Sequence, residues 1–383
     1  AADNASTLSC LQALGVRVRR EGNTVEVEGQ GFEGLRAAAA SLDCGNSGST
    51  LRMLAGVLAG RPFRSVLTGD ASLQRRPVER VAGPLRLLGA RAEATDGKPP
   101  LVIEGGRLRG IRYDQKVASA QVKTAVLLAG LQAEGRTTVS EPELSRDHTE
   151  RLLPAFGVPV VREGLAVSVD GGAVLHAPSA PLEVPGDASS AAFLLVAALV
   201  LEDSEVQVEN VLLNPTRTAF IRVLREMGAS IDVELTRTEP EPVGTVTARS
   251  SALHGIEVAP ELVPSLIDEV PILAVAAARA EGTFRLTGAA ELRVKESDRL
   301  AALAEGLGRL GAAVEELPDG LVIQGGRRLR GAEVRAHDDH RIAMSLAVAA
   351  LTAAGVTRIE GAECASVSFP EFYGFLARGT GRG

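Results

Sequence analysis

Cysteine is scarce in this chain of 383 residues: Cys10, Cys44 and Cys364 stand far apart, with no disulfide framework and no metal-binding spacing. Such sparse, odd usage points to a reducing compartment. Long apolar runs are also missing. The longest, residues 191–201, falls well short of the ~20 residues that cross a bilayer. The opening AADNASTLSC has neither the charged nor the apolar region of a secretory leader. A cytoplasmic protein with no membrane partner is the expectation. His148, His176, His254, His337 and His340 show no ligand spacing with cysteines or carboxylates, so no metal is expected. Walker and dinucleotide glycine motifs are absent, and no convincing nucleophile elbow appears, so no cofactor is expected. A net charge of −7 argues against a general nucleic-acid surface. What remains is chemistry on an anionic small molecule. Lysine is rare too, at Lys98, Lys116, Lys123 and Lys295 alone.

What the chain does have is a repeat. Apolar runs rich in Ala and Leu open at GNSGSTLRMLAGVLAG (45–60), SAQVKTAVLLAGLQAEG (119–135), GDASSAAFLLVAALVL (186–201), DEVPILAVAAARAEG (268–282) and DDHRIAMSLAVAALTAAG (338–355). A second series, Gly15, Gly89, Gly157, Gly228 and Gly311, ends amphipathic segments in the manner of helix C-terminal caps. The period of about 70 to 80 residues exceeds that of a solenoid repeat, ~20–50 residues. It suits a duplicated unit of buried helix, strand, surface helix and hairpin. The β-like stretches are 137–139, 206–208, 283–286 and 356–359. Leu300, Leu303, Leu307 and Leu310 recur at helical spacing, and Pro318-Asp319-Gly320 reads as a hairpin turn. Prolines cluster near 181–186, giving expected domains 1–182 and 183–383. Two openings fall in the first and three in the second, so the first is one unit short.

The buried helices begin with Asn46–Thr50, Ser119–Gln121, Asp187–Ser190, Asp268-Glu269 and Asp339–Arg341. Capping alone accounts for Asp and Ser there. The N-termini of buried helices also attract anions, and Gly48 would let backbone approach a ligand closely. Basic residues recur beside them: Arg75, Arg76, Arg146, Arg217, Arg293, Lys295, Arg299 and Arg341. Each alone reads as a solvated charge. As a set at one phase of the repeat they suggest a cleft that clamps carboxylate or phosphate. On a continuous helix Lys295 and Arg299 would share a face. Asp268, Glu269 and Glu296 adjoin these cations as candidate proton acceptors.

These segments, with GDASLQRRP, SRDHTE, NPTRT, LRVKESDRL and DDHRIAM, resemble the 5-enolpyruvylshikimate-3-phosphate (EPSP) synthases in the family's order over residues 45–345. The resemblance implies an α/β fold of two inverse α/β domains built from βαβαββ repeats, with the active site in the cleft between them. It implies transfer of the enolpyruvyl group of phosphoenolpyruvate to the 5-hydroxyl of shikimate 3-phosphate by addition and elimination, releasing phosphate, without metal or cofactor, in a monomer. By the same resemblance Gly48, Arg76, Gln121, Arg299 and Arg341 match positions that hold phosphoenolpyruvate. Ser119, Ala120, Gln121, Arg146, Asp268 and Lys295 match positions around shikimate 3-phosphate. Asp268 matches the acceptor of the hydroxyl proton and Glu296 an acid at the enolpyruvyl methylene, with Lys295 the third residue expected to be catalytic, and Asn46 matches a neighbour of the site. Glyphosate is expected to compete with phosphoenolpyruvate, since Gly48 keeps the site open.

Two departures accompany the resemblance. The family's opening loop, approximately G-D-K-S-x-S-x-R, has no counterpart in the chain as given, which starts where the segment after that loop is expected. Its Lys, Ser and Arg contacts, at roughly 1.5–3 kcal/mol each, would cost about a thousandfold or more in binding or rate if lost. Val367 stands where some members carry lysine. A related enzyme acting on a UDP-amino sugar is disfavoured, because SLQRRP lacks the reactive Cys or Asp of that loop. A truncated relative or fragment that binds ligand without turnover is the alternative to an enzyme.

Overall fold

The computed structural model describes residues 2–379. The chain divides into two compact units, Ala1–Leu182 and Glu183–Gly383.

The first unit opens with helix α1 (Ala2–Ala13) and the hairpin β1 (Arg17–Glu21) and β2 (Thr24–Glu28). A full repeat follows: β3 (Leu42–Asp43), α2 (Gly48–Leu58), β4 (Arg64–Thr68), α3 (Glu79–Leu88), β5 (Arg91–Thr95) and β6 (Lys98–Glu104). Its sheet runs β3-β4-β6-β5, parallel between β3 and β4 and antiparallel elsewhere. After the short β7 (Leu108–Arg109), β8 (Arg112–Asp114), α4 (Ala120–Gly130), β9 (Ala133–Glu134), β10 (Arg136–Ser140), α5 (His148–Leu152), β11 (Val161–Glu163) and β12 (Ala166–Asp170) repeat the pattern. That sheet runs β8-β10-β12-β11.

In the second unit α6 (Ala188–Val200), β13 (Glu205–Leu212), α7 (Ala219–Glu226), β14 (Ser230–Arg237) and β15 (Val243–Arg249) form the next copy. A parallel bridge from Gly186 to Val211 stands for its leading strand. Then come β16 (Glu257–Val258), α8 (Val263–Leu266), α9 (Val270–Arg279), β17 (Thr283–Leu286), α10 (Arg299–Arg309), β18 (Ala313–Leu317) and β19 (Gly320–Gln324), in the order β16-β17-β19-β18. Finally β20 (Glu333–Arg335) pairs in parallel with β21 (Arg358–Glu360) around α11 (His340–Leu351), and α12 (Phe372–Gly379) follows. This is the two-domain α/β architecture of βαβαββ repeats.

The apolar runs form buried helices because they are apolar all round. In the second unit α6, α9 and α11 pack on one another inside the sheets. In the first, α2 packs against α4 so closely that a Cβ on Gly56 would lie 2.2 Å from the Ala125 carbonyl oxygen. Glycine is needed there for backbone approach. The surface helices are one-sided. In α10 the Asp298 carboxylate accepts from the Ala301 amide at 3.1 Å, and Leu300, Leu303, Leu307 and Leu310 are all fully buried. Each such leucine contributes about 1.5–3 kcal/mol. Gly311 then takes φ +95° and ends the segment, as Gly15, Gly89, Gly157 and Gly228 do at φ between +80° and +114°.

Two sequence expectations change. The five openings and five glycines are not the same five copies. Gly15 ends the helix of a helix–hairpin segment that precedes the first opening, and the opening at 338 leads to no capped helix and hairpin among the described residues. Both series together touch six segments. The strand expected at 356–359 starts at Arg358, because Gly355 turns the chain at φ +93° and leaves Val356 and Thr357 outside the pairing.

Candidate active site

The first unit brings two helix N-termini together. Helices α2 and α4 run side by side in the same direction: Gln121 Nε2 donates to Ser49 Oγ at 2.7 Å near their starts, and Gln132 Nε2 donates to the Val57 carbonyl at 3.0 Å near their ends. Their free amides and positive dipole ends therefore face one place. Ser47 caps α2 through the Thr50 amide, whereas Ser119 makes no side-chain cap on α4. Arg52, one turn after Gly48, is buried. It donates to Gln121 Oε1 at 2.5 Å and to the Pro77 carbonyl at 3.1 Å. A Cβ on Gly48 would lie 2.7 Å from Arg52 Nη1 and 3.5 Å from Arg76 Nη1. Glycine at 48 thus makes room for the Arg52 guanidinium, while that of Arg76 lies at ordinary contact distance. Arg76 donates to Asn46 Oδ1 at 2.8 Å, and Asn46 Nδ2 donates to Asp70 Oδ2 at 2.8 Å. Asp70 in turn accepts from the Leu73 amide at 2.8 Å, fixing the loop that carries Arg76. Arg146 lies half-buried in the loop between β10 and α5.

The second unit gathers three helix N-termini, and carboxylates fill them. Ser189 Oγ on α6 donates to Glu269 Oε1 at the start of α9, and Arg217 Nη2 donates to the same Ser189 Oγ. Arg341 on α11 donates from Nη1 to the Asp268 carbonyl at 2.9 Å. Asp339 caps α11 through the Arg341 amide at 2.9 Å and accepts from Arg299 Nε at 2.7 Å. Arg299 also reaches Glu296 Oε2 at 2.6 Å and Asp268 Oδ1 at 3.4 Å. Lys295 Nζ lies 3.9 Å from Asp268 Oδ1, and Arg341 Nη2 lies 4.0 Å from Asp268 Oδ2. One carboxylate, Asp268, is thus surrounded by three cations.

Exposure separates the arginines. The Arg299 side chain is 1% exposed and that of Arg341 is 14% exposed, so Arg341 is the more open. Burial alone would lower the Arg299 pKa, yet the Asp339, Glu296 and Asp268 carboxylates hold it above its ordinary value. Burial would likewise raise Asp339, but the Arg299 guanidinium keeps it below the usual carboxylate value. His340 is pulled down to about 4 by burial and by Arg341 beside it, so its imidazole is neutral near pH 7. The turn into Asp339 is strained: His337 and Asp338 take φ +53° and +55° in succession. Left-handed backbone costs non-glycine residues roughly 1–2 kcal/mol each, and here it delivers a fully buried cap to the foot of Arg299.

Gly48, Arg76, Ser119, Ala120 and Gln121 therefore lie at the paired helix ends of the first unit, and Asp268, Lys295, Glu296, Arg299 and Arg341 meet in the second. One expectation fails. Lys295 and Arg299 do not share one helix, because Lys295 ends a 3-10 turn over Ala290–Val294 and α10 begins only at Arg299, capped by Asp298. They meet at Asp268 instead. Sequence reasoning missed Arg52 and the Asp339–Arg299 pair. A lone arginine inside an apolar helix was the available signal for the first, and an aspartate at a buried cap for the second. Among the described residues no three or more His, Cys, Asp or Glu side chains are grouped to hold a metal ion, and no helix is long and apolar enough to cross a membrane.

Comparison with known proteins gives one family. The sequence model described as EPSP synthase (3-phosphoshikimate 1-carboxyvinyltransferase) matches residues 1–376. A 3-phosphoshikimate 1-carboxyvinyltransferase of Gloeobacter violaceus is 53% identical over 381 residues, covering 98% of this chain and 88% of that one. One from Carboxydothermus hydrogenoformans is 51% identical over 99% of this chain and 88% of its own length. A solved EPSP synthase from Acinetobacter baumannii superposes with a TM-score of 0.87 at 45% identity, over 98% of this chain and 87% of that one. With these matches along nearly its whole length, the chain belongs to the EPSP synthase family.

Proposed function

We propose that this chain is a 3-phosphoshikimate 1-carboxyvinyltransferase, transferring the enolpyruvyl group of phosphoenolpyruvate to the 5-hydroxyl of shikimate 3-phosphate and releasing phosphate. The family match supports the reaction, and the Asp268 carboxylate held among Lys295, Arg299 and Arg341 is the observation that carries the chemistry. Asp268 accepts the hydroxyl proton as the oxygen attacks C2 of phosphoenolpyruvate. Glu296, fixed by Arg299, serves proton transfer at C3, first adding a proton and then removing one as phosphate leaves.

The units 1–182 and 183–383 are the two domains of this reading, both serving the one reaction. In the first, the helix ends with Gly48, Arg76 and Gln121 hold phosphoenolpyruvate, while Ser119, Ala120, Gln121 and Arg146 hold shikimate 3-phosphate. In the second, Arg341 offers the more open guanidinium to phosphoenolpyruvate, and Arg299 reaches it while keeping three carboxylates in place. Lys295 joins Asp268 at shikimate 3-phosphate. A cytoplasmic monomer working without metal or organic cofactor belongs to the same proposal, on the strength of the resemblance.

A coupled phosphate-release assay with both substrates tests the reaction. Arg341→Ala should raise the KM for phosphoenolpyruvate about tenfold or more and that for shikimate 3-phosphate far less. Equal rises in both would refute the assignment. Binding of both substrates without phosphate release would favour the ligand-binding alternative.

A further inference from the structure

We propose that Lys123 is a positioning residue for shikimate 3-phosphate: its ammonium pins both ends of the segment that carries Arg146, fixing that segment relative to the first turn of α4. The proposal rests on the functional reading above.

Lys123 stands two residues after Gln121 in α4, inside an apolar run, with its side chain 1% exposed. Its Nζ donates to Glu141 Oε2 at 2.7 Å and lies 2.7 Å from Glu150 Oε1. Those two side chains are 2% and 1% exposed. A buried ammonium needs a partner, but one carboxylate satisfies its charge. The second is more than that charge requires, and Glu150 Oε2 has no hydrogen-bond partner among the described residues. For stability alone, apolar packing of the same volume is often as good as such a group or better.

What the trio achieves is geometric. Glu141 directly follows β10, Glu150 lies in α5, and the chain between them holds Arg146. Ser145 Oγ donates to Glu141 Oε1, so the residue before Arg146 is tied through Glu141 to Lys123. The residue after it, Asp147, accepts from Arg151 Nε at 2.9 Å and from Arg162 Nη1 at 3.1 Å. A hydrogen bond of 2.5 Å between the Thr124 and Thr149 hydroxyls makes a second stitch between α4 and α5. Arg146 is thereby flanked by anchored neighbours, and the anchor on one side leads to the helix whose first turn holds Ser119, Ala120 and Gln121.

Titration calorimetry with shikimate 3-phosphate, alongside kinetics and thermal melting, tests this. Lys123→Met keeps the stem and removes the cation. It should raise the Kd for shikimate 3-phosphate about tenfold or more, ~1.4 kcal/mol, with much less change in the KM for phosphoenolpyruvate. Because the variant should also melt lower, Ser145→Ala, which leaves the Lys123 ion pairs in place, provides the second reading: a weakening of roughly three- to tenfold with a smaller fall in melting temperature than Lys123→Met. The triple variant Lys123→Met, Glu141→Gln, Glu150→Gln should regain melting temperature but not affinity. Wild-type affinity in any of the three overturns the proposal. Arg146→Ala is the reference. If it weakens binding and Lys123→Met does not, the pin alone fails. If Arg146→Ala leaves binding unchanged, or the unsubstituted protein binds no shikimate 3-phosphate, the functional reading falls and takes the pin with it.

Discussion

In the first unit the starts of α2 and α4 present Gly48, Ser49 and Gln121, with Arg52 and Arg76 beside them. In the second, the starts of α6, α9 and α11 present Ser189, Glu269 and Asp339, with Asp268 and Glu296 alongside. Both sets of helix ends carry the same partial positive charge, about half a unit each. The second unit neutralises much of its positive charge internally with carboxylates. The first surrounds its helix starts with amide, hydroxyl and guanidinium donors that suit an incoming anion. The difference separates two chemistries: one cluster of donors that suits a negatively charged ligand, and one in which Asp268, the proposed proton acceptor, sits among three cations.

The largest effect should come from the acceptor itself. Asp268→Asn keeps the side chain's shape but removes its charge, and kcat should fall by about 10²–10⁴, with the Kd for shikimate 3-phosphate changed much less. A loss below about tenfold would place the proton acceptor elsewhere and break the contrast between the units. Next comes the cage. Arg299→Met strands Asp339, which is fully buried, together with Glu296 and Asp268. Removing one partner of such a buried set costs about 3–5 kcal/mol, read as lost stability in urea. A cost under about 1 kcal/mol would mean that the cluster repacks and that the cage is not rigid.

How far the sequence reaches follows from the same contrast. Periodicity and glycine caps carry the fold, because buried helices and left-handed turns leave composition signals. Asp268, Lys295 and Glu296 were visible as charges beside an apolar run. Asp339 was visible only as a cap, since nothing in the order DDHR says that Arg299, forty residues earlier, folds onto it. Arg52 was invisible for the opposite reason: its neighbours are apolar, and only the space left by Gly48 shows what it does. The shared helix of Lys295 and Arg299 failed because the cap at Asp298 starts a new element between them.

That space is the basis of a smaller effect. Gly48→Ala places a methyl 2.7 Å from Arg52 Nη1, whose guanidinium is already held by Gln121 and Pro77. Displacing it should raise the KM for phosphoenolpyruvate by about tenfold while sparing kcat and leaving the second unit untouched. Glyphosate should compete with phosphoenolpyruvate in the unsubstituted protein and lose potency in the variant. An unchanged KM would show that Arg52 plays no part in anion binding.

The smallest effect concerns pH and the second unit alone. His340 titrates at about 4 in the folded chain, held down by burial and Arg341, against an ordinary value of about 6.5. Between those values the unfolded chain binds more protons than the folded one, so stability falls as pH falls. Above about 6.5 both states are neutral and the group contributes nothing to the slope. At pH 5.5 the loss should be about 1 kcal/mol, or a melting shift of ~2–4 °C for a unit of this size. Acidification changes the charge of other groups in the chain as well, so the test is a difference: His340→Gln should show a shallower fall in melting temperature from pH 7 to 5 than the unsubstituted chain. Parallel curves would mean that the imidazole takes up its proton freely in the folded state, and that the cage around Asp268 is more open to water than its burial implies.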